Sequence, residues 1–367
     1  MRVVFDCRYT RIGRHDGISR YTAGLVTELG KLHPVTMLIS DHRQLELLPN
    51  LPWELVSAPT SAREPFVALQ VNRLRPDVVF TPMQTMGSWG REYKLILTVH
   101  DLIYYRNRTP PRDLPWPIRV LWRLYHFAWW PQRMLLNRAD AVVTVSRTTA
   151  DLVKAHHLTR RPISVVTNAA DPPTPAEREH ATSRSEPAHR SLVYMGSFMP
   201  YKNVETLVRA AALLPDYTLH LMSTISDSQR QRLIDIAPTA SLVFHNGASD
   251  EHYHEELAGA TALVTASRDE GFGIPLVEAM TLGTPVVVSD IPIFREIGAD
   301  AAAYFDPDSP EALASTIRYL QAPAVWEEHS RRSLARASQF TWGASAAHLL
   351  TVLTAAATRA SRRRRLG

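Results

Sequence analysis

The sequence predicts an α/β protein of two doubly wound parallel-sheet domains facing each other across a cleft. Three observations predict it. Short apolar runs alternate with helix-period segments through both halves of the 367 residues. A polar, Pro-rich stretch, 172–190, interrupts that rhythm once, near the middle. After it the rhythm restarts. Strands separated by helices require a parallel sheet covered on both faces.

The elements follow in order. Val3–Phe5 is a strand, and a loop leads to a helix near Gly17–Leu32. In that helix Ile18, Tyr21, Leu25 and Leu29 fall at steps of three and four and share one face. Asp16 suits its N-cap. Strands follow at Val35–Ile39, Asp77–Phe80, Leu95–Val99 and Ala141–Val145. Residues 172–190 have no apolar period and are expected to be a linker. The second half opens with strand Ser191–Met195 and helix Val204–Leu214, then strands Thr218–Met222 and Leu242–Phe244. Helix His252–Ala258, strand Ala262–Thr265, a Gly-rich loop, a helix near Pro275–Leu282 and strand Pro285–Ser289 come next. Late helices cover Pro310–Leu320 and Val325–Ala337. The expected division is a first domain over 1–171, the linker, a second domain over 191–345, and a C-terminal helix with a basic tail over 346–367 that could pack back on the first domain. Ligands of such sheets bind beyond the carboxyl ends of the strands, so a site between the domains is expected.

Composition narrows the function. Apolar residues are 45% and charged residues 21%, a folded composition. The single cysteine, Cys7, excludes a disulfide framework and a cysteine zinc cluster. The N-terminus reads as a strand rather than a signal peptide. No run of about 18 uncharged apolar residues suggests a membrane-spanning helix. Residues 1–175 hold 23 Lys and Arg against 14 Asp and Glu, a net of +9, whereas 176–367 hold 18 against 22, a net of −4. The basic half points to an anionic partner: nucleic acid, phosphate groups or a membrane surface. Neither zinc spacing nor a recognition-helix pattern supports nucleic acid.

The most informative stretch is Arg268-Asp269-Glu270-Gly271-Phe272-Gly273-Ile274-Pro275-Leu276-Val277-Glu278-Ala279-Met280. Its two glycines permit a tight strand-to-helix turn, and Pro275 suits the start of the helix. Amides near Gly273 and Ile274 then form an anion-binding helix start. Carboxylates such as Glu270 and Glu278 accept hydrogen bonds from sugar or ribose hydroxyls. The same pair could serve a glycosidase as acid and nucleophile, but a glycosidase has no phosphate for a Gly-rich turn and a lysine to cradle.

The segment from Glu270 to Met280, with Gly283-Thr284-Pro285 beyond it, resembles the paired-glutamate motif of glycosyltransferase family 4, the retaining transferases of GT-B fold. The resemblance extends over most of the chain outside the linker and tail. It implies a nucleotide-sugar donor held mainly by the second domain, and no metal or other cofactor. By this resemblance Glu278 holds the ribose and Glu270 the donor sugar's hydroxyls, assisted by the amides of Phe272, Gly273 and Ile274. Lys202, between a strand and a helix, is the phosphate lysine. Ser197 and Tyr201 stand where members of the family carry further cations, and Arg268 is the candidate to supply the missing charge. In the first domain, Gly17-Ile18-Ser19-Arg20-Tyr21 resembles the opening of members that build bacterial polysaccharides, many of them mannosyltransferases. Gly17 would face the donor's diphosphate, and His100, from Val99-His100-Asp101, would touch the donor sugar. The expected catalytic set is His100, Glu270 and Lys202. The expected donor is GDP-mannose, with a UDP-sugar as the alternative, and the acceptor a hydroxyl of a glycan or lipid-linked glycan.

Residues 114–138 carry four of the eight tryptophans (Trp116, Trp122, Trp129, Trp130) among Arg119, Arg123, Arg133 and Arg138, with no acid. Aromatic rings and arginines together suit a lipid headgroup layer; a core-packing helix with a basic edge is the other reading. Arg362–Arg365 would add to attraction by an anionic surface. The expected location is the cytoplasm, peripheral on the inner face of the membrane.

Overall fold

The computed structural model describes residues 1–110 and 116–365, and all of their side chains except those of 117 and 359–365. The chain forms two compact units, one of residues 1–169 with 341–367, the other of 170–340.

The first unit holds seven strands: β1 (Val3–Asp6), β2 (Val35–Ile39), β3 (Trp53–Leu55), β4 (Val78–Thr81), β5 (Lys94–Val99), β6 (Ala141–Thr144) and β7 (Ile163–Val165). They lie in the order β3-β2-β1-β4-β5-β6-β7, every pair parallel. The central strands β1, β4 and β6 are buried throughout, as a sheet covered on both faces requires.

The second unit repeats the plan with β8 (Ser191–Tyr194), β9 (Thr218–Leu221), β10 (Ser241–Phe244), β11 (Ala262–Thr265), β12 (Val286–Ser289) and β13 (Ala302–Phe305). Their order is β10-β9-β8-β11-β12-β13, again parallel. In each unit the chain winds outward one way from the first strand and returns to its other side with the fourth. The loops leaving β1 and β4, and those leaving β8 and β11, therefore flank a topological switch point, where open sheets bind ligands.

The division differs from expectation in the linker and in where the last helix begins. Residues 172–190 are not a bare linker: Pro175–Ser183 is a helix, opened by a capping box in which Thr174 and Glu177 satisfy each other's amides. Ala181 is buried, Arg184 lies over the Trp326 ring at 4.8 Å, and its Nη2 donates to Thr284 Oγ1 at 3.3 Å. The segment thus packs as part of the second unit. The C-terminal helix is longer than its apolar run, extending over Trp342–Arg365, and belongs to the first unit. A window within 323–358 is apolar and long enough to cross a membrane by composition. Ala346, Leu349 and Leu353 in it are nevertheless fully buried. Trp342 packs edge-on to Tyr21 of helix Gly17–Leu32 at 6.2 Å. A Cβ at Gly24 on that helix would fall 2.4 Å from the Trp342 ring, so the absence of one permits the contact.

Candidate active site

In the second unit β8 pairs with β11, Leu192 opposite Ala262 and Val193 opposite Leu263. Their carboxyl ends release two loops side by side. One carries Lys202 in a short 3-10 turn, Pro200–Lys202; the other carries Arg268 to Gly273. The Arg268 amide donates to the Tyr201 carbonyl at 2.8 Å, tying the loops together. Lys202 Nζ then donates to a carboxylate oxygen of Glu270, with only 14% and 18% of the two side chains exposed. The residue expected at the phosphate and the residue expected at the sugar are direct partners.

The turn after Glu270 is built from local constraints. Asp269, buried, accepts from the Glu270 amide at 3.1 Å. Gly273 adopts φ +93° at the N-cap of helix Ile274–Thr281, a conformation that side chains rarely take. Phe272 is buried and meets Phe340 edge-on at 5.7 Å. The far end of the helix closes as a Schellman motif, Gly283 N to Met280 O at 3.1 Å and Thr284 N to Ala279 O at 2.9 Å. Glu278 lies inside this helix, almost buried, and accepts from the Tyr253 hydroxyl at 3.1 Å.

Arg268, the candidate for a further phosphate charge, is paired at the surface. Its guanidinium is bound to Asp308, on the loop following β13, and is 45% exposed. Ser197 is exposed, and its carbonyl accepts from the Tyr194 hydroxyl at 2.7 Å. Lys202 is a cation that the structure sets against the paired-glutamate loop.

In the first unit Gly17 begins helix Gly17–Leu32 and is exposed. Asp16 caps it, accepting from Ser19 N at 2.8 Å and from Arg11 Nε at 2.7 Å; both bonds hold its carboxyl below the usual range against the opposing effect of burial. Tyr21, one turn on, meets the His100 ring edge-on at 5.0 Å. His100 follows β5, and its Nε2 lies 2.7 Å from the Pro82 carbonyl, just after β4. A carbonyl only accepts, so Nε2 carries the proton and Nδ1 presents a lone pair. Burial pushes this imidazole down from its ordinary value, partly offset by the Pro82 bond. Gly17 and His100 therefore belong to one locality, at the carboxyl end of the first sheet. A cavity of about 640 Å³ lies at the opposite end, among Met1, Arg2, Pro34 and Asp77, away from where open sheets bind ligands.

Sequence reasoning missed three supporting groups. Tyr253 and Asp269 are described above. The third is Arg8, just past β1, whose buried guanidinium binds Asp6 (2.8 and 2.9 Å) and Glu64 (2.6 Å) and donates to Ser57 O at 3.0 Å. The Asp-Cys-Arg spelling was the available signal. Cys7 between them is buried, and burial with Asp6 pushes its thiol well up, so it remains an inert thiol.

The aromatic stretch has two faces. Trp129 stacks between Tyr105 and His156, 4.1 Å from each, and Trp122 packs on His126 at 4.1 Å. Trp116, Leu121, Leu124, Phe127 and Trp130 are exposed. Arg133 is structural, donating to the carbonyls of His156 and His157. Residues 114 and 115, and the side chains of Arg362–Arg365, lie outside what the structure describes.

Both halves match known families. Residues 15–173 match the model described as Glycosyltransferase Family 4, and 176–335 that described as Glycosyl transferases group 1. The chain is 26% identical over 327 residues to the O-antigen chain mannosyltransferase RfbU of Salmonella typhimurium, covering 85% of this chain and 89% of that one. It is 28% identical over 301 residues to a GDP-mannose-dependent phosphatidylinositol dimannoside mannosyltransferase of Mycobacterium tuberculosis, 77% of this chain and 75% of the relative. Its fold is similar to that of sucrose-phosphate synthase from Thermosynechococcus elongatus, with a TM-score of 0.72 at 17% identity, over 96% of this chain and 98% of that one. The paired-glutamate loop, its lysine and the two family matches agree: the chain is a glycosyltransferase of GT-B fold and belongs to glycosyltransferase family 4.

Proposed function

We propose that this enzyme transfers mannose from GDP-mannose, with retention of anomeric configuration and without a metal, to a hydroxyl of a glycan or glycolipid acceptor. The observation that carries the reading is the contact between Lys202 and Glu270. In a nucleotide-diphosphate sugar the phosphate on the anomeric carbon lies only a few bonds from the ring hydroxyls. A carboxylate for hydroxyls and a cation for phosphate must therefore sit side by side. Support for mannose comes from the names of the relatives; support for GDP comes from the mycobacterial one.

In the proposed reaction the bond from the anomeric carbon to the phosphate oxygen breaks, and the acceptor oxygen bonds to that carbon on the same face. The acceptor's proton passes to the leaving phosphate oxygen. Lys202 and the amides at the start of helix Ile274–Thr281 take up the charge that develops on the phosphate. Glu270 orients the sugar's hydroxyls, Glu278 the ribose, and His100 Nδ1 accepts from a sugar hydroxyl. Product analysis by NMR tests this: an α-mannoside supports retention, and a β-mannoside refutes it.

A specific observation also supports work at a membrane surface, which we place on the cytoplasmic face as part of the proposal. The exposed face of helix Trp116–Phe127 combines Trp116, Leu121, Leu124 and Phe127 with exposed Arg123. Apolar rings and aliphatic chains beside a cation match an anionic lipid surface rather than nucleic acid. Flotation with vesicles containing phosphatidylglycerol, compared with neutral vesicles, tests it: binding only to the anionic vesicles, lost on Leu121→Ser with Leu124→Ser, is expected. Equal recovery without binding to either overturns it.

A further inference from the structure

A second cluster of chemically capable side chains lies in the second unit, outside the Lys202–Glu270 site. Strand β9 carries His220. β10 pairs beside it with Val243 opposite His220, so His245, two residues on, falls on the same face of the sheet. The ladder continues through His245, whose amide donates to Leu221 O at 3.0 Å. Helix Asp250–Gly259 brings His252 and Glu256, one turn apart, to the same place.

The donor atoms converge. His220 Nδ1 is 3.1 Å from His245 Nε2 and 3.0 Å from a Glu256 carboxylate oxygen. One donor atom from each of the three residues lies within 4.8 Å of both others. A tetrahedral ion with bonds of about 2.0–2.1 Å holds its ligand atoms about 3.3–3.4 Å apart, so two of the three edges already have nearly the required length. His252 Nε2 stands 3.0 Å from the other nitrogen of His245, Nδ1. A ligating histidine is usually oriented by a hydrogen bond from its other ring nitrogen; here, with Nε2 given to an ion, Nδ1–H would donate to the His252 imidazole. A cavity of about 280 Å³, lined by His189, Ser191, His220, His252, Glu255 and Glu256, adjoins the cluster and leaves room for a water in the fourth position.

We propose that His220, His245 and Glu256 bind one divalent first-row transition ion, with His252 positioning His245. Two imidazoles and one carboxylate suit Zn²⁺ and its neighbours in the series, and lack the oxygen-rich shell that Ca²⁺ or Mg²⁺ requires. The ion would tie helix Asp250–Gly259 to β9 and β10. Nothing in this assignment depends on the donor sugar or the transfer mechanism.

The test uses the full chain without an affinity tag, stripped with chelator. Equilibrium dialysis against Zn²⁺, read by elemental analysis, is expected to show one ion per chain and a raised melting temperature. Co²⁺ in its place is expected to give the intense visible bands of a tetrahedral site. His245→Ala and Glu256→Gln should each abolish stoichiometric binding, and His252→Asn should weaken it by about 10–100-fold. If the Ala variant fails to fold, the wild-type Co²⁺ spectrum decides. Absence of bound Zn²⁺, a weak octahedral Co²⁺ spectrum, or full binding retained by a folded His220→Ala, His245→Ala double variant would each overturn the assignment.

Discussion

Lys202 and Glu270 are 68 residues apart in sequence and joined by one ion pair. Their meeting follows from topology: β8 and β11 are neighbours at the switch point of the second sheet, and each residue lies on the loop leaving one of them. In the proposed reaction they act on adjacent parts of one donor, so their removal should not be additive. Lys202→Ala and Glu270→Gln are each expected to lower kcat/KM by about 10²–10³-fold, the scale for removing one preorganised charge-stabilising group. The double variant should cost much less than the product of the two. A double-mutant cycle in kcat/KM measures this; simple multiplication would mean that the residues work independently.

Tyr253 holds Glu278 by one hydrogen bond within a buried setting. Tyr253→Phe leaves the packing and removes that bond, worth about 1.5–3 kcal/mol when the acceptor is charged. If Glu278 serves the ribose, donor KM should rise by about tenfold or more while kcat changes little. A fall in kcat at constant KM would place Glu278 in the chemical step instead.

Arg8 is a structural prediction. Its side chain is fully buried, and it pairs with both Asp6 and Glu64. Removing one member of a buried ion cluster typically costs about 3–5 kcal/mol, because the abandoned charges remain desolvated. Urea unfolding of Arg8→Met should show a loss of that order. A loss under about 1 kcal/mol would mean that water reaches the site.

His100 makes a pH prediction. Burial holds its folded value below the ordinary imidazole value of about 6.5. The unfolded chain therefore takes up the proton first, and stability falls as pH drops below about 6.5 toward the folded value. Other buried histidines contribute the same trend, so the comparison must be differential. His100→Gln should lose less melting temperature than the wild type between about pH 7.5 and pH 5. Parallel curves would show that His100 does not titrate differently in the fold.

The central architecture was legible because buried parallel strands are continuous apolar runs, as Val286–Ser289 shows. Three strands escaped notice. Trp53–Leu55 is wholly exposed, Ile163–Val165 half-buried, and Ala302–Phe305 begins with small residues; each lies at a sheet edge, where burial imposes no pattern. The capping box at Thr174 was readable and was masked by the polar, Pro-rich composition around it. Of the candidate site, the family resemblance named Glu270, Glu278 and Lys202, but the partners Tyr253 and Asp308 come from distant segments with no spacing to announce them. The histidines at 220, 245 and 252 are likewise joined only by strand register and a covering helix. Periodicity also could not tell which tryptophans of 116–130 face inward, since both faces of that segment are apolar.

Calorimetric titration of the full chain with GDP-mannose, UDP-glucose and UDP-N-acetylglucosamine, repeated on Lys202→Ala, tests the central claim most directly. The donor site around Lys202 and Glu270 predicts saturable binding, tightest for GDP-mannose, that weakens by at least tenfold in the variant. Binding of none of the three, or equal affinity in Lys202→Ala, would contradict it.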